Sequence, residues 1–327
     1  MNIIAEVGLA HDGSFGNALK LVDMAKKCGA DTIKFQTHIS EAESLPDAPN
    51  PHYFKDESRI DYFKRTSFTI DQWKQLKGKA DQCEVQFLSS PFSLEAVDLL
   101  EEVGIFAYKI PSGEVTNLPL LEKITEIGKP VFLSSGMSDW KELDTAVDIF
   151  RDKCELTVMQ CSSAYPCPPE QVGLNVITEI RKRYHCKVGF SDHTLGYAAS
   201  LAAAALGATV IEKHFTFSRC MYGSDAKHSM EPDAFSKFCS EIQDAWSMLK
   251  NPIEKNDTNP YREMKKIFQK SIVASCDIPE GTRIEMKHLA FKKSGDGLTV
   301  SSFRDILGKK TSRELKKNDR ITFNDLS

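Results

Sequence analysis

Side chains that bind anions follow short apolar segments at several points in this sequence. Lys34 and Lys109 supply ammonium groups, and Ser112, Ser134 and Ser191 supply hydroxyl groups. Ammonium groups and hydroxyls that converge on one place bind the oxygens of a phosphate or a carboxylate. A single serine after a strand usually caps a helix, so the prediction of an anion site depends on the whole set meeting.

Two histidines, His193 and His214, stand at equivalent places in the segments SDH and EKH. If these segments end neighbouring strands, the two imidazoles can bind a divalent ion and leave positions open for water and substrate. The alternative is two unconnected histidines that only form hydrogen bonds. Strand alternation predicts that Lys213 points away from the site. His11, in the loop after the first apolar segment, fits a structural role and a role in the site equally well.

These side chains meet only if the strands that carry them surround a common centre. Eight β-rich segments are predicted, each followed by a segment with the apolar periodicity of a helix. The predicted strands are residues 3–7, 32–37, 85–89, 106–110, 130–134, 155–161, 187–190 and 209–214. The predicted helices are residues 17–27, 70–82, 94–103, 118–127, 140–150, 172–183, 197–206 and 233–249, and residues 39 to about 69 are expected to be irregular.

The fold class predicted from this alternation is α/β, a (β/α)8 TIM barrel over residues 1–250. An open doubly wound sheet would alternate too, but it gives no reason to stop at eight strands, and no GxGxxG follows the first strand. In such a barrel the active site lies at the carboxyl ends of the strands. Residues 251–267 are predicted to be a polar linker and residues 268–327 a small all-β domain, with strands near 271–274, 282–284, 290–291, 311–312 and 321–323.

Charge divides unevenly along the chain of 327 residues, whose net charge is -4. Residues 265–327 hold 14 Lys and Arg against 8 Asp and Glu, a net of +6, which leaves -10 for residues 1–264. The basic tail fits a solvated face or a surface that helps to hold an anionic substrate. No apolar run approaches 18 residues and no signal peptide is visible, so we expect a cytoplasmic protein with no membrane or nucleic-acid partner.

Eight segments resemble the sialic acid synthase (N-acetylneuraminate synthase) family and stand in the order of that family. They are IAEVGLAHDG (residues 4–13), IKFQTH (33–38), SSPFS (89–93), YKIPSGE (108–114), SSGM (134–137), GFSDHTLG (189–196), ALGATVIEKHFT (205–216) and GSDAKHSMEP (223–232). The tail from about Phe268 is similar to the family's C-terminal antifreeze-like (SAF) domain, which has a β-clip fold. The resemblance covers nearly the whole chain, and the SDHT and EKHFT motifs are specific.

The resemblance implies an enzyme that forms a C–C bond between phosphoenolpyruvate and an amino-sugar aldose. The main expectation is N-acetylmannosamine and water as co-substrates, with N-acetylneuraminate and phosphate as products. The alternative is a legionaminic or pseudaminic acid synthase acting on a 2,4-diacetamido-2,4,6-trideoxyhexose. The expected cofactor is Mn²⁺, with Mg²⁺ or Co²⁺ as alternatives, and the expected assembly is a domain-swapped homodimer. A non-catalytic paralogue or an ice-binding module is the alternative from another class, although the charged tail lacks a flat apolar face.

The resemblance also implies a role for each matching residue, while leaving open which carboxylate acts as base. The catalytic residues would be Glu6, Glu114, Glu212, His193 and His214, of which the two histidines would also hold the metal. Phosphoenolpyruvate would be bound by Lys34, Ser90, Lys109, Ser112, Ser134, Ser163 and Ser191. The sugar would be bound by Gln36, Phe92, Glu114, Tyr165, Asp225 and Lys293.

Three departures from the family pattern bear on the acceptor. Ala10 and Ser163 stand where family members often have Asn, and we expect a looser contact to phosphoenolpyruvate or the sugar there. The family's KRPG segment is KKSG here, so Lys293 replaces an arginine that reaches the substrate across a dimer. Lysine keeps the charge but lacks the planar fork of arginine. An acceptor other than N-acetylmannosamine is consistent with this change.

Overall fold

Eight parallel strands close into a barrel in the first of the two units of this chain. The computed structural model describes residues 1–50 and 57–327, and its units are Met1–Asn251 and Pro252–Ser327. The strands are β1 (Asn2–Gly8), β2 (Thr32–Thr37), β3 (Gln86–Pro91), β4 (Tyr108–Ile110), β5 (Val131–Ser134), β6 (Leu156–Cys161), β7 (Lys187–Asp192) and β8 (Val210–His214). Each strand pairs with the next, and β8 pairs with β1. The predicted (β/α)8 barrel is therefore confirmed, and the open sheet is excluded.

Helices follow the strands, and local sequence explains where several of them begin. Those described in the first unit are α1 (Phe15–Lys27), α2 (Ser40–Glu43), α3 (Arg59–Thr66), α4 (Ile70–Gln82), α5 (Leu94–Val103), α6 (Leu118–Ile127), α7 (Trp140–Phe150), α8 (Asn175–Tyr184), α9 (Ala198–Ala205) and α10 (Pro232–Lys250). Ser14 caps α1 by accepting the backbone N–H of Asn17. Thr69 with Gln72 forms a capping box at the start of α4. The buried side of each long helix is apolar and packs outside the barrel.

Strand alternation places an apolar floor inside the barrel and a polar layer directly above it. The floor is a separate buried cluster made of Ile4, Leu88, Ala107, Phe132, Met159 and Val210. Two positions further along the same strands come Glu6, Ser90, Lys109, Ser134, Cys161 and Glu212. Because side chains two apart on a strand share a face, these residues also point into the barrel. The residues that alternate with them along each strand point outward and pack against the helices.

The structure adds helices to two connecting segments, and one prediction of irregular structure was wrong. The stretch from 39 to about 69 was expected to be irregular, but it contains α2 and α3, and Ser58 caps α3 by accepting the N–H of Asp61. Residues 51–56 of that stretch lie outside the described residues. The predicted linker, 251–267, includes most of the helix α11 (Arg262–Phe268), whose sequence REMKKIF has no glycine or proline to interrupt it.

The second unit has its own small core and little regular sheet. Strands β9 (Lys270–Ala274) and β10 (Leu289–Lys293) form an antiparallel pair, and the short helix α12 (Phe303–Ile306) contributes Ile306 to the core. The predicted strands near 282–284, 311–312 and 321–323 lack a ladder in the described structure, where only isolated bridges occur near them. Within the described residues, no helix is long and apolar enough to cross a membrane.

Candidate active site at the carboxyl ends of the barrel strands

Four buried charged side chains, Glu6, Lys34, Lys109 and Glu212, occupy the centre of the barrel mouth. One carboxylate oxygen of Glu212 accepts three hydrogen bonds. Oε1 of Glu212 accepts hydrogen bonds from Nζ of Lys34 at 2.9 Å, Nζ of Lys109 at 3.2 Å and Oγ of Ser191 at 3.1 Å. The second carboxylate, Glu6, has its Oε2 atom 3.4 Å from Nζ of Lys34. All four charged side chains are at most 4% exposed. Two positive and two negative charges therefore balance without solvent.

The environment separates the pKa values of the two carboxylates. Burial raises the pKa of Glu6, against the opposing influence of Lys34. Burial acts in the same direction on Glu212, but Lys109 and Lys34 outweigh it and hold the pKa of Glu212 below its usual range. A pair of carboxylates with separated pKa values is suited to divided roles, one group remaining an anion while the other exchanges a proton.

A bulge in β1 helps to aim Glu6 at this cluster. Glu6 lies beside Lys34 in the ladder, but the next paired residue is Gly8 beside Phe35, so one residue is extra on β1. Gly8 has a φ of +54°, and a Cβ atom there would overlap a carboxylate oxygen of Asp225. Glycine at this position therefore permits both the bulge and the close approach of Asp225.

His193 and His214 lie side by side at the mouth, with ring centroids 5.7 Å apart. The Nδ1 atom of His193 donates to the backbone oxygen of Ser162 at 2.6 Å, which leaves Nε2 as the acceptor facing the cavity. Burial, with a further contribution from His214, lowers the pKa of His193 to about 3, so its imidazole is neutral. His214 has a buried Nδ1 atom with no hydrogen-bond partner among the described residues.

The donor atoms around the histidines fit a divalent ion. Neutral imidazole is the form that ligates a metal, and the Oε2 atoms of Glu6 and Glu212 are also buried without hydrogen-bond partners among the described residues. In the described part of the chain, no three His, Cys, Asp or Glu residues are grouped as a metal site. The protein would thus supply two histidine ligands, and the remaining positions would belong to water and substrate.

Two of the serines predicted to bind an anion, Ser112 and Ser163, lie against a close-packed turn after β5. The N–H of Gly136 donates to Oγ of Ser112 at 3.1 Å, and Oγ of Ser112 lies 3.2 Å from Sγ of Cys161. A Cβ atom on Gly136 would come within 2.8 Å of the hydroxyls of Ser112 and Ser163. On β3, Ser90 has a buried hydroxyl without a partner among the described residues. The hydroxyls of Ser112 and Ser163 therefore approach the same point beside Gly136.

A cavity of 600 Å³ brings most of the predicted site residues together. The predicted residues in its wall are Glu6, Lys34, Gln36, Ser90, Phe92, Lys109, Ser112, Ser134, Ser163, Tyr165, His193, Glu212, His214 and Asp225. Ser191 is outside the wall, but it contacts Glu212 and His193 from behind. Glu114 is also outside it, with its carboxylate accepting from Asn117. Lys293 belongs to the second unit.

Several wall residues were not identified from the sequence. They are Leu9, His38, Arg59, Phe63, Pro111, Gly113, Met137, Cys161, Ala164, Ser224 and His228. His38 carried a detectable signal, because it lies two residues after Gln36 and so shares its face of the chain. No sequence signal marked Arg59 and Phe63. Both lie on α3, in a stretch that was expected to be irregular.

The predicted outward direction of Lys213 is confirmed. Its Nζ atom lies 3.2 Å from Oδ1 of Asp192 and donates to the backbone oxygen of Thr194 at 2.5 Å. Ser200 donates to the other oxygen of Asp192 at 2.6 Å. The pair is buried and joins β7 to β8 directly behind His193 and His214, one residue from each. It therefore ties together the two strands that present the histidines.

His11 is buried and is not part of the cavity wall, which favours the structural role of the two left open for it. The ring is buried, lies 4.6 Å from the ring of Phe68, and accepts the N–H of Gly13 at Nδ1 over 3.1 Å. Burial lowers the pKa of His11 from 6.5 to about 4. The neutral ring is thus the form that the fold accommodates.

We expect this histidine to make the protein acid-sensitive. Between pH 6.5 and pH 4 the unfolded chain binds a proton that folded His11 does not, so stability is complete above pH 6.5 and falls as the pH drops. At about 1.4 kcal/mol per unit, the His11 contribution to the loss should be about 2 to 3 kcal/mol by pH 4.5. In His11→Asn the side-chain oxygen can still accept from Gly13 in an Asx-turn, but nothing titrates. Urea unfolding at pH 7 and pH 4.5 should show a smaller fall for the variant; equal falls would contradict the prediction.

The comparisons with known proteins agree with this fold. The NeuB family model matches residues 21–254, and the SAF domain model matches residues 269–327. The chain is 35% identical over 328 residues to the N,N'-diacetyllegionaminic acid synthase of Campylobacter jejuni, with 98% of each chain covered. It is 32% identical over 329 residues to the N-acetylneuraminate-9-phosphate synthase of Homo sapiens, covering 98% of this chain and 90% of the human protein.

Among solved structures, the chain is similar to the N-acetylneuraminic acid (sialic acid) synthetase of Leptospira borgpetersenii in complex with citrate. The two are 30% identical with a TM-score of 0.72, over 80% of this chain and 90% of the other. The family resemblance predicted from the sequence motifs is therefore confirmed. Because the family model covers most of the barrel and the relatives cover nearly the whole chain, this protein belongs to the NeuB family and carries a SAF domain after the barrel.

Proposed function

We propose that this protein condenses phosphoenolpyruvate with a 2,4-diacetamido-2,4,6-trideoxyhexose to form an acid of the legionaminic type. The observation that carries the proposal is the buried group of Lys34, Lys109, Glu6 and Glu212, which opens on a 600 Å³ cavity beside two histidines. Ammonium groups there offer an anionic substrate its counter-charge, and the carboxylates offer the charge that a cationic reaction centre needs. The name of the Campylobacter jejuni relative supports the choice of product.

The proposed reaction begins when C3 of phosphoenolpyruvate attacks the aldehyde carbon of the sugar. C2 becomes electron-poor, takes up water, and loses phosphate by cleavage of the C2–O bond, which leaves a 2-keto acid. Lys109 and the hydroxyls of Ser112 and Ser134 bind the anionic groups of phosphoenolpyruvate. His193 and His214 would hold a divalent ion such as Mn²⁺, and this ion would supply Lewis-acid chemistry when bound.

The two carboxylates divide the remaining work in this proposal. Glu212 stays ionised between its lysines and stabilises positive charge at C2. Glu6 accepts the proton of the attacking water at Oε2, the oxygen that has no hydrogen-bond partner among the described residues. The raised pKa of Glu6 suits a group that must hold and then release a proton.

A second candidate acceptor is N-acetylmannosamine, and the cavity wall favours the first. Leu9, Phe63, Phe92, Met137 and Ala164 give the wall an apolar part. At C6 the trideoxy sugar has a methyl group where N-acetylmannosamine has a hydroxymethyl group, and at C4 it has an acetamido group where N-acetylmannosamine has a hydroxyl. Burying methyl groups against apolar side chains is favourable, whereas an unpaired hydroxyl there is penalised.

Phosphate release tests the proposal directly. With Mn²⁺ and phosphoenolpyruvate, we expect kcat/KM for the diacetamido sugar to exceed that for N-acetylmannosamine by about 10-fold or more, equivalent to about 1.4 kcal/mol of transition-state binding. Equal or greater activity with N-acetylmannosamine would establish the second candidate instead. No phosphate release with either sugar would reject the function.

The fate of an oxygen label tests the bond that breaks. With ¹⁸O in the bridging C–O bond of phosphoenolpyruvate, the label should leave with phosphate, because water attacks C2 and the C2–O bond is cleaved. Mass spectrometry of both products measures this. Label retained in the keto acid would mean P–O cleavage, and the roles assigned to Glu6 and Glu212 would then be wrong.

The site of the proposed enzyme is completed by the SAF domain of a second chain in a domain-swapped homodimer. The second unit has a cavity of 730 Å³ lined by cationic side chains that include Lys292, Lys293, Arg313 and Arg320. Its basic charge is opposite in sign to that of the barrel unit, which favours docking, although screening makes this a weak driving force by itself. Lys293 of one chain then contacts the sugar bound by the other.

Mixing two inactive chains tests this assembly. Under subunit exchange, His214→Ala and the charge-reversed Lys293→Glu should form hybrid dimers in which one site has an intact barrel and an intact tail. Random pairing should restore about a quarter of the wild-type sites, since half of the dimers are hybrid and each has one complete site. A chain cut before Phe268 can replace Lys293→Glu as the second partner. If a mixture that is shown to contain heterodimers releases no phosphate, the shared site is rejected.

A further inference from the structure

A line of four polar side chains runs from Glu6 in the barrel mouth to Glu43 at the end of α2. Gln36 donates from Nε2 to Oε1 of Glu6 at 2.9 Å. The Oε1 atom of Gln36 lies 3.2 Å from Nε2 of His38. On the far side of the ring, Nδ1 of His38 lies 2.8 Å and 3.1 Å from the two carboxylate oxygens of Glu43. The proposed reaction uses Glu6 and leaves His38 and Glu43 unexplained.

Aromatic rings hold His38 on both faces. The ring of Phe63 lies 3.8 Å away at an interplanar angle of 6°, and that of Phe92 lies 4.1 Å away at 18°. His38 as a whole residue is 8% exposed, and its side chain, like that of Glu43, is 6% exposed. With both faces stacked and both nitrogens engaged, the ring has one orientation available to it.

Hydrogen-bond polarity then determines where the protons lie. A carboxylate accepts only, so Glu43 requires an N–H at Nδ1 of His38. The amide of Gln36 directs its NH₂ group toward Glu6 and its oxygen toward His38, which requires an N–H at Nε2 as well. Both ring nitrogens are thus placed to donate, from a ring that is stacked between two aromatic faces and lies against Glu43.

We infer that His38, oriented by Glu43, is a positioning residue that prevents the Gln36 amide from flipping and so fixes the carboxylate of Glu6. A flipped amide would set its oxygen against Glu6 and its NH₂ against the N–H of His38, and both contacts would be repulsive. In the observed orientation, Gln36 donates to Oε1 of Glu6. Oε2 remains the oxygen that accepts the proton of water in the proposed reaction. Both ends of the Gln36 amide are engaged by protein, so this orienting role is separate from the sugar contact that the family resemblance implies.

A double-mutant cycle tests this role. Its kinetic measurements depend on the proposed reaction. His38→Phe keeps three stacked rings but removes the N–H donor, and we expect kcat to fall about 30- to 100-fold because misplacing a reacting group has effects of that size. The KM for phosphoenolpyruvate should change less than about 3-fold, since its binding groups are untouched. In a Gln36→Ala background, His38→Phe should cost nothing further, because its effect passes through Gln36.

Other outcomes contradict the inference. If His38 serves packing only, His38→Phe retains wild-type kcat; if it contacts the sugar itself, the two changes are additive. Glu41→Gln is the matched control, since this exposed carboxylate lies on the same helix α2 and pairs with Lys64, not with His38, and its kcat should stay within about 3-fold of wild type.

A substrate-free measurement separates failure of this inference from failure of the proposed function. In protein labelled with ¹⁵N-histidine, the signal assigned to His38 by its loss in His38→Phe should show both ring nitrogens protonated at pH 7. A neutral tautomer with one protonated nitrogen would overturn the inference even if phosphate release is normal. Two protonated nitrogens in a protein that releases no phosphate would retain the orientation and reject only the proposed function.

Discussion

Replacing His214 with alanine should lower turnover by about 1,000-fold or more and remove Mn²⁺ binding, while the barrel stays folded. His193 and His214 are the adjacent imidazoles at the mouth, and a two-ligand site loses half of its protein ligands in this variant. Lewis-acid stabilisation is worth several kcal/mol in the transition state, and about 4 kcal/mol corresponds to three orders of magnitude in rate. Electron paramagnetic resonance of free Mn²⁺ measures binding independently of catalysis.

The matched control for this variant is His228→Ala. His228 also lines the cavity but is not part of the adjacent pair, so its loss should leave Mn²⁺ affinity unchanged. Thermal unfolding should show that both variants remain folded. In the wild type, a chelator should abolish turnover and added Mn²⁺ should restore it. Full activity in excess chelator, or unchanged Mn²⁺ affinity in His214→Ala, would show that the histidine pair does not hold the metal.

Glu212→Gln should destabilise the fold by about 3 to 5 kcal/mol and also abolish most activity, because removing one partner of a buried ion pair leaves uncompensated charge. Lys34 and Lys109 both donate to the same oxygen of this residue, so the neutral amide leaves two buried ammonium groups with Glu6 as the nearest anion. Chemical denaturation measures the change in the free energy of unfolding.

Glu6→Gln provides the comparison, since it keeps Glu212 between the lysines and should lose less stability. Phosphoenolpyruvate should raise the melting temperature of Glu212→Gln more than that of the wild type, because the substrate brings negative charge to the freed ammonium groups. A loss of stability below about 1 kcal/mol in Glu212→Gln would mean that the lysines are neutralised in another way, against the buried-pair expectation.

The strand count and the direction of the site residues could be predicted because strand periodicity is local. On β5 and β8, Phe132 and Val210 are apolar and the residues two further on are Ser134 and Glu212, so one alternation specifies both the floor and the polar layer. The same parity predicted that Lys213 faces away from the histidine pair. Motif resemblance added the family, which composition and spacing alone do not identify.

Helix α3 shows where such prediction ended. It supplies Arg59 and Phe63 to the cavity wall from a stretch with few apolar residues and several prolines nearby, so its helical character depends on burial of one side, including Tyr62. Packing against the rest of the barrel stabilises a short helix that would be marginal in isolation. Likewise, Glu114 shares a motif with Lys109 and Ser112, yet its carboxylate accepts from Asn117 outside the cavity wall.

The sequence by itself therefore determined which side of each strand is polar, the number of strands and the two histidines that would meet. The tertiary structure decided which charges pair: that one oxygen of Glu212 serves both Lys34 and Lys109, and that Glu6 is held by Gln36. The physical reason is that alternation is a property of one strand, whereas pairing depends on the register between strands. That register is set by barrel closure and by the bulge between Glu6 and Gly8.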